Sequence, residues 1–235
     1  YLYSAPEATP FEVMLTQVGD KIIEYESKRY KQQRLIAFSN WPTTDPFTYP
    51  ETVTDFFMKC AQVDVEHIKG TDSFLAGQFA SYHVYPYYPD YLAHVDDWSA
   101  YGLNAEDYAL DEGKHNTYRA YLQMLTNHHT MPVVISEFGV STGRGMAHRD
   151  QNTGRNQGNM SEQEQGQALV DCWTDIKSSG CNGGCVFSWQ DEWFKRTWNT
   201  MHAVDLKRTP YWSDYQTNEQ YFGLLSFDPG KEKSI

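Results

Sequence analysis

Glu137 closes an otherwise uncharged run, Met131-Pro132-Val133-Val134-Ile135-Ser136, and Phe138-Gly139 follow it. A carboxylate in that place can simply pair with a neighbouring Arg or Lys. It can also stand at the carboxyl end of a buried parallel strand, where α/β folds bind ligands and carry out chemistry. Three other segments end in groups of related character: Asn40 and Trp41, then His83 and Tyr85, then Trp189 with Gln190, Asp191, Glu192 and Trp193 just beyond. A carboxylate among a phenol, an imidazole and indole rings suits a sugar. The C–H faces of a pyranose stack on Trp, its hydroxyls need hydrogen-bond partners, and a glutamate can attack the anomeric carbon. Core packing is the ordinary alternative for Trp41 and Trp189.

The elements that must carry these groups follow a strand–helix alternation. Pro132 to Ile135 is β-branched and bounded by turn residues, as expected of a parallel strand covered on both faces. Residues 34–41, 77–86 and 183–190 read as further strands. Thr9, Pro10 and Glu12 open a helix with a capping box, and Phe11, Met14, Leu15, Val18, Ile22 and Tyr25 share one of its faces. Residues 51–62 and 116–129 read as helices, the latter with Tyr118, Tyr121, Leu122 and Leu125 on one side. Ser161 and Glu164 cap a fourth, which continues through Leu169, Cys172, Trp173 and Ile176 to a stop at Gly180. The strand ends at Trp41, Tyr85, Glu137 and Trp189 lie 44, 52 and 52 residues apart. This beat predicts an α/β fold with a parallel sheet, doubly wound or part of a (β/α)₈ TIM barrel. Four strands make about half a barrel. The expected division is residues 1–208 as the half-barrel and 209–235 as a connector into a following β domain, with the chain starting and stopping inside larger units. Two open sheet edges would then favour self-association.

Composition narrows the function classes. A formal net charge of −12, a pI near 5.0 and the lack of a basic stripe argue against nucleic acid. No apolar run reaches the length of a membrane span. Seven Trp, seventeen Tyr and twelve Phe are mostly core material with some left for ligand platforms. Cys60, Cys172, Cys181 and Cys185 show no CxxC, and their expected role is as small buried hydrophobes. The histidines, including the His128-His129 pair, lack ligand spacing, so neither a metal nor another cofactor is expected. No compartment follows from these residues.

The ordered set resembles a family. ISEFG ending one strand, Tyr82-His83-Val84-Tyr85-Pro86 ending the strand before and Phe187-Ser188-Trp189 ending the strand after look like strands seven, six and eight of clan A glycoside hydrolases. That group includes family 5 cellulases and the family 2 β-galactosidases and β-glucuronidases. Over residues 9–200 the resemblance implies the C-terminal half of a TIM barrel, about strands five to eight, acting on β-linked oligosaccharide or polysaccharide with retention. It implies Glu137 as nucleophile, Tyr85 as its hydrogen-bond partner, His83 as a subsite group and Trp189 as the platform beneath the sugar. Trp41, Asn40, Gln190 and Arg144 are further substrate-binding candidates.

The family's acid/base follows an Asn at the end of strand four, and the only Asn-Glu here is Asn218-Glu219, in the tail. The expectation is therefore an acid/base upstream of Tyr1, with the other half of the barrel as partner; Glu7, Asp191 and Glu192 are fallbacks. The polar segment 141–160 would overhang the mouth, where Arg144, His148, Arg149 and Arg155 either bind an anionic group or are solvated. Asn159-Met160-Ser161 fits the glycosylation triplet, although Ser161 is better explained as a helix cap. Two other classes stay open. One is a carbohydrate-binding or scaffold barrel without catalysis. The other is a serine hydrolase using Gly139-Val140-Ser141-Thr142-Gly143 with His148 or His202, although no helix follows that motif directly. A Rossmann dehydrogenase is excluded by the lack of a strand leading into G-x-G-x-x-G.

Overall fold

The computed structural model describes residues 1–143, 145–192, 194–195, 217–228 and 230–233. Its centre is a four-stranded sheet, all parallel, in the order β2 (Ser39–Asn40), β4 (Ala80–His83), β5 (Val133–Phe138) and β8 (Gly183–Val186). Each of the four expected strands is present at its expected place; those at 34–41, 77–86 and 183–190 are shorter than expected, whereas β5 runs on past Ile135 to Phe138. The strand expected at 34–41 pairs only through an isolated Ile36–Gln78 bridge and β2, because an edge strand has a single neighbour to hold it. Among the described residues the sheet does not close, so β2 and β8 are its edges.

Helices α1 (Pro10–Tyr30), α2 (Glu51–Phe57), α3 (Thr117–His128) and α4 (Glu162–Ser178) alternate with these strands. Both capping boxes form: Thr9 with Glu12, and Ser161 with Glu164. Asn116 caps α3 by accepting from Arg119 N, and its amide donates to both Asp175 oxygens of α4 at 3.0 Å. The core lies between the sheet and α3 and α4. There Leu122, Leu125, Ile135 and Ile176 are at most 1% exposed, each contributing about 1.5–3 kcal/mol by burial. Aromatic rings fill much of the rest, including Tyr49 against Tyr91 at 4.4 Å.

Several expectations change. The Phe11–Tyr25 stripe does not face the sheet: Phe11, Met14, Val18, Ile22 and Tyr25 are 46–59% exposed. The buried side of α1 is Glu12, Thr16, Gly19 and Ile23. Gly19 lets the helix approach closely, since a Cβ there would lie 2.7 Å from Phe38 and 2.9 Å from Leu2. The second helix stops at Phe57, five residues early, where Met58 turns left-handed at φ 52° and the next residue, Lys59, pairs with buried Asp45 at 2.6 Å. Strand β5 is covered on one face only, with Val133 and Ile135 buried and Val134 and Ser136 partly open. All four cysteines are free, and Cys60 and Cys185 are exposed rather than buried.

Two small sheets were not expected from the sequence. Strand β1 (Leu2–Ser4) pairs antiparallel with β3 (Ile68–Gly70) beside α1. Segment 141–160 has structure of its own, the hairpin of β6 (Met146–His148) and β7 (Gln157–Gly158). Arg155 is not solvated there. It is buried against Asp175 at 2.8 Å and lies over the Tyr118 ring.

Candidate active site

Glu137 owes its position to an irregularity in β5. Ile135 faces Tyr82 of β4 and Gly184 of β8, yet the next pairs are Glu137 with His83 and Phe138 with Val186. Strand β5 thus carries one extra residue relative to both neighbours, a bulge of the kind that re-aims side chains at functional sites. Ser136 absorbs the offset by bonding Ser81 Oγ at 2.7 Å and donating to Tyr82 O at 3.3 Å. Val84 N donates to Glu137 O at 2.9 Å, which fixes the glutamate backbone beside the end of β4.

The carboxylate is held from one side. Tyr85 OH donates to Glu137 Oε2 at 2.9 Å, and His83 Nδ1 lies 3.2 Å from the same oxygen. Burial and the neighbouring Glu137 charge both push the Tyr85 hydroxyl far above its ordinary range, so it remains a donor. Glu137 Oε1 has no partner among the described residues, and the side chain is 32% exposed. The result is an oriented carboxylate with one oxygen facing solvent.

That oxygen opens into a cleft of about 380 Å³. Trp41, 43% exposed, forms one side; Tyr85, Tyr87 and Phe222 form another; Tyr88, His148, Gln157 and Glu219 complete it. His148 stacks on Tyr88 at 4.5 Å. Gln157 donates from its amide nitrogen to Glu219, so its oxygen faces His148 Nδ1, 2.5 Å away, and that nitrogen carries the proton. Burial raises the Glu219 carboxyl above its ordinary value, against the opposing pull of Lys195 at 3.6 Å and of Gln157.

The remaining nominated residues have other placements. Asn40 spends its amide on Thr44 O and Val63 O at 3.1 and 3.0 Å, and its oxygen accepts from Trp41 N at 2.8 Å. It thereby holds the turn at Pro42–Thr44 that projects Trp41 into the cleft. Trp189 is 71% exposed and does not line the cleft. Gln190 donates to Ser226 O and Phe227 O, and it bridges to Leu225. Asp191 pairs with Lys233 at 2.8 Å, Glu192 pairs with Lys195 at 3.1 Å, and Glu7 is exposed away from the cleft. Arg144, Trp193 and His202 lie outside the described residues. Ser141 is fully buried and its Oγ has no hydrogen-bond partner among the described residues, which leaves no accessible nucleophile in the G-x-S-x-G motif.

Glu219 and Gln157 line the cleft without having been expected there. Glu219 had a signal, the Asn-Glu dipeptide, but in a tail with no strand to place it. His148 and Gln157 reach the cleft only because the hairpin folds over it.

Away from the cleft, Asp64, His128 and His129 converge with their polar atoms within 4.8 Å of one another. Ligand spacing along the sequence did not reveal this group, because Asp64 comes from 64 residues upstream of His128. Each member is already bonded: His128 to Asp64 at 2.8 Å, and His129 to Glu66 at 3.1 Å and to Tyr82 OH at 2.9 Å. Burial opposes ionisation of Glu66, yet hydrogen bonds from Thr130, Lys69 and His129 bring its carboxyl down to about 2.

No protein-family model and no curated protein matches the chain. Among solved structures, a β-glucuronidase from Ruminococcus gnavus in complex with D-glucaro 1,5-lactone superposes with a TM-score of 0.48 at 14% identity, over 99% of this chain and 30% of that one. A β-glucuronidase from an uncultured Clostridium gives 0.39 at 14% identity, over 93% and 34% of the two chains. A β-glucosidase from Exiguobacterium marinum gives 0.36 at 16%, over 92% and 51%. The chain spans 30–51% of the length of these structures, and likeness at this level establishes no family.

Proposed function

We propose that the chain carries the nucleophile side of a retaining glycoside hydrolase site for β-linked carbohydrate. The supporting observation is the one-sided hold on Glu137: Tyr85 fixes Oε2 while Oε1 faces an aromatic-walled cleft. A nucleophile needs such an arrangement, because an oxygen with no protein hydrogen bond can form a covalent bond to the anomeric carbon while its twin stays anchored. Trp41, 43% exposed, offers a ring face to a pyranose, and His83, 37% exposed, offers a polar atom to its hydroxyls.

In this reading the sheet is part of a (β/α)₈ barrel. The open edges at β2 and β8 and the exposed stripe of α1 are where further βα units of the parent protein pack. The substrate is an oligosaccharide or polysaccharide, and no cofactor takes part.

The test is covalent trapping in the full-length parent. Activated 2-fluoro glycosides of several sugars are incubated with it and the adduct is mapped by peptide mass spectrometry. An adduct on Glu137 is expected, with the reacting sugar naming the subsite. If no probe labels Glu137 while oligosaccharides still bind, the cleft is a carbohydrate-binding site without catalysis.

A further inference from the structure

The side-chain alternation of β5 changes phase at Ser136. Val133 and Ile135 are 2% and 0% exposed in the core, and strict alternation would send Glu137 to that same buried face. Instead Phe138 takes the next core position at 1% exposure, and the Glu137 side chain is 32% exposed. One residue accounts for the change. Tyr82 pairs with Ile135 and His83 with Glu137, so Ser136 is the residue with no opposite number on β4.

A bulged residue leaves the ladder, and something else must hold it. Ser136 Oγ donates to Tyr82 O at 3.3 Å and lies 2.7 Å from Ser81 Oγ, which lies 3.2 Å from Ser39 Oγ. Ser81 and Ser39 are register partners on β4 and β2. Each hydroxyl has one proton, so with Ser136 donating to Tyr82 O, Ser81 donates to Ser136 and Ser39 donates to Ser81. The row thus runs one way, from the edge strand β2 to the bulge, and each bond polarises the next. Ser81 is 3% exposed, which shields the middle of the row from solvent and makes an unmade bond there costly.

We propose that Ser136 is a positioning residue for Glu137: the Ser39–Ser81–Ser136 hydroxyl row pins the bulge, and the bulge keeps the carboxylate out of the core and in the cleft. The inference rests on the reading of Glu137 as a nucleophile. Ser136 acts through the backbone of its neighbour rather than on the sugar. Without its hydroxyl the bulge is free to shift along β5, and a slip of one residue returns Glu137 to the face of Val133 and Ile135. A much smaller displacement is enough to slow the chemistry, since about 1 Å of misplacement costs on the order of 10²-fold.

The experiment follows labelling of Glu137 in the full-length protein by the activated 2-fluoro glycoside that traps it. Ser136→Ala is expected to lower the first-order labelling rate constant by about 10–100-fold per folded molecule, with the half-saturating probe concentration unchanged, because the group that reacts moves while the groups that bind do not. Ser136→Thr, which keeps the hydroxyl, should recover most of that rate. Ser81→Ala should slow labelling by a smaller factor, and the double variant Ser81→Ala/Ser136→Ala should be no slower than Ser136→Ala alone, because members of one row act as a unit. An unmutated rate in Ser136→Ala, a Ser136→Thr rate no better than that of Ser136→Ala, or single losses that multiply in the double variant overturns the inference while leaving the labelled Glu137 standing. Absence of the Glu137 adduct in unmutated protein overturns the glycosidase reading, and this inference with it.

Discussion

Two groupings of Glu, His and Tyr lie toward opposite ends of strand β5, built from the same kinds of side chain for different purposes. Beyond the carboxyl ends of β4 and β5, Glu137 meets Tyr85 and His83 through one oxygen and shows the other to a cleft. Ahead of β5, Glu66 accepts from His129, from Thr130 N and Oγ1 and from Lys69, so both of its oxygens are occupied. His129, with no side-chain exposure, uses both ring nitrogens, one on Glu66 and one on Tyr82. A fully bonded carboxylate braces a fold, whereas an anchored carboxylate with an unused oxygen has capacity left for chemistry.

The comparison breaks most decisively at its two glutamates. Glu137→Gln keeps the shape of the cleft and should cut turnover by on the order of 10⁴-fold with little change in the urea midpoint, as steady-state kinetics and equilibrium unfolding will show. Glu66→Ala should do the reverse, costing about 3–5 kcal/mol of stability by leaving His129 and Lys69 without their partner, while kcat per folded molecule holds. If Glu66→Ala alters kcat as strongly as stability, the division between brace and reactive group is wrong.

The tyrosines sharpen it. Tyr85→Phe removes the fixed donor to Glu137 and should lower kcat by on the order of 10²-fold without unfolding the protein. Tyr82→Phe leaves His129 Nε2 buried without a partner and should cost about 1–3 kcal/mol in denaturant titration, with kcat unchanged.

The smallest expected effect lies at the cleft end of α3. Asp90 accepts from Thr117 Oγ1 at 2.8 Å, and burial, with Asp150 nearby, pushes its carboxyl up to about 7 despite the Thr117 bond. A carboxyl raised on folding binds more protons in the folded state, so its contribution to stability falls as pH rises from its unfolded value near 4 through about 7. Asp90→Asn should therefore match the unmutated protein near pH 4 and exceed it at pH 8 by about 1 kcal/mol, allowing for partial exposure. Melting curves at the two pH values check this.

The site was legible in the sequence where a strand end dictated it. Glu137, His83, Tyr85 and Trp41 meet at one cleft because parallel strands in register bring their carboxyl ends together. Asn40 stood in the right place for a different reason, since an amide at a strand end can tie down the following turn as readily as face a ligand. Glu219 was not legible as a neighbour of the cleft. It comes from 82 residues beyond Glu137, on a turn with no periodicity to reveal its direction.

What the sequence determined by itself were features closed within a few residues: the Thr9 and Ser161 capping boxes, the alternation of strands and helices, and the inward faces of α3 and α4. These depend on hydrogen bonds three residues apart and on periodic burial, which any short window contains. Only the tertiary structure decided which side of α1 meets the sheet, where Arg155 is buried and which carboxylates share the cleft. Apolar periodicity could not orient α1, because Gly19 and the Glu12 bonds to Asp64 and His67 drew its polar side inward. Such outcomes are differences between long-range contacts, and no local stretch of sequence contains both partners.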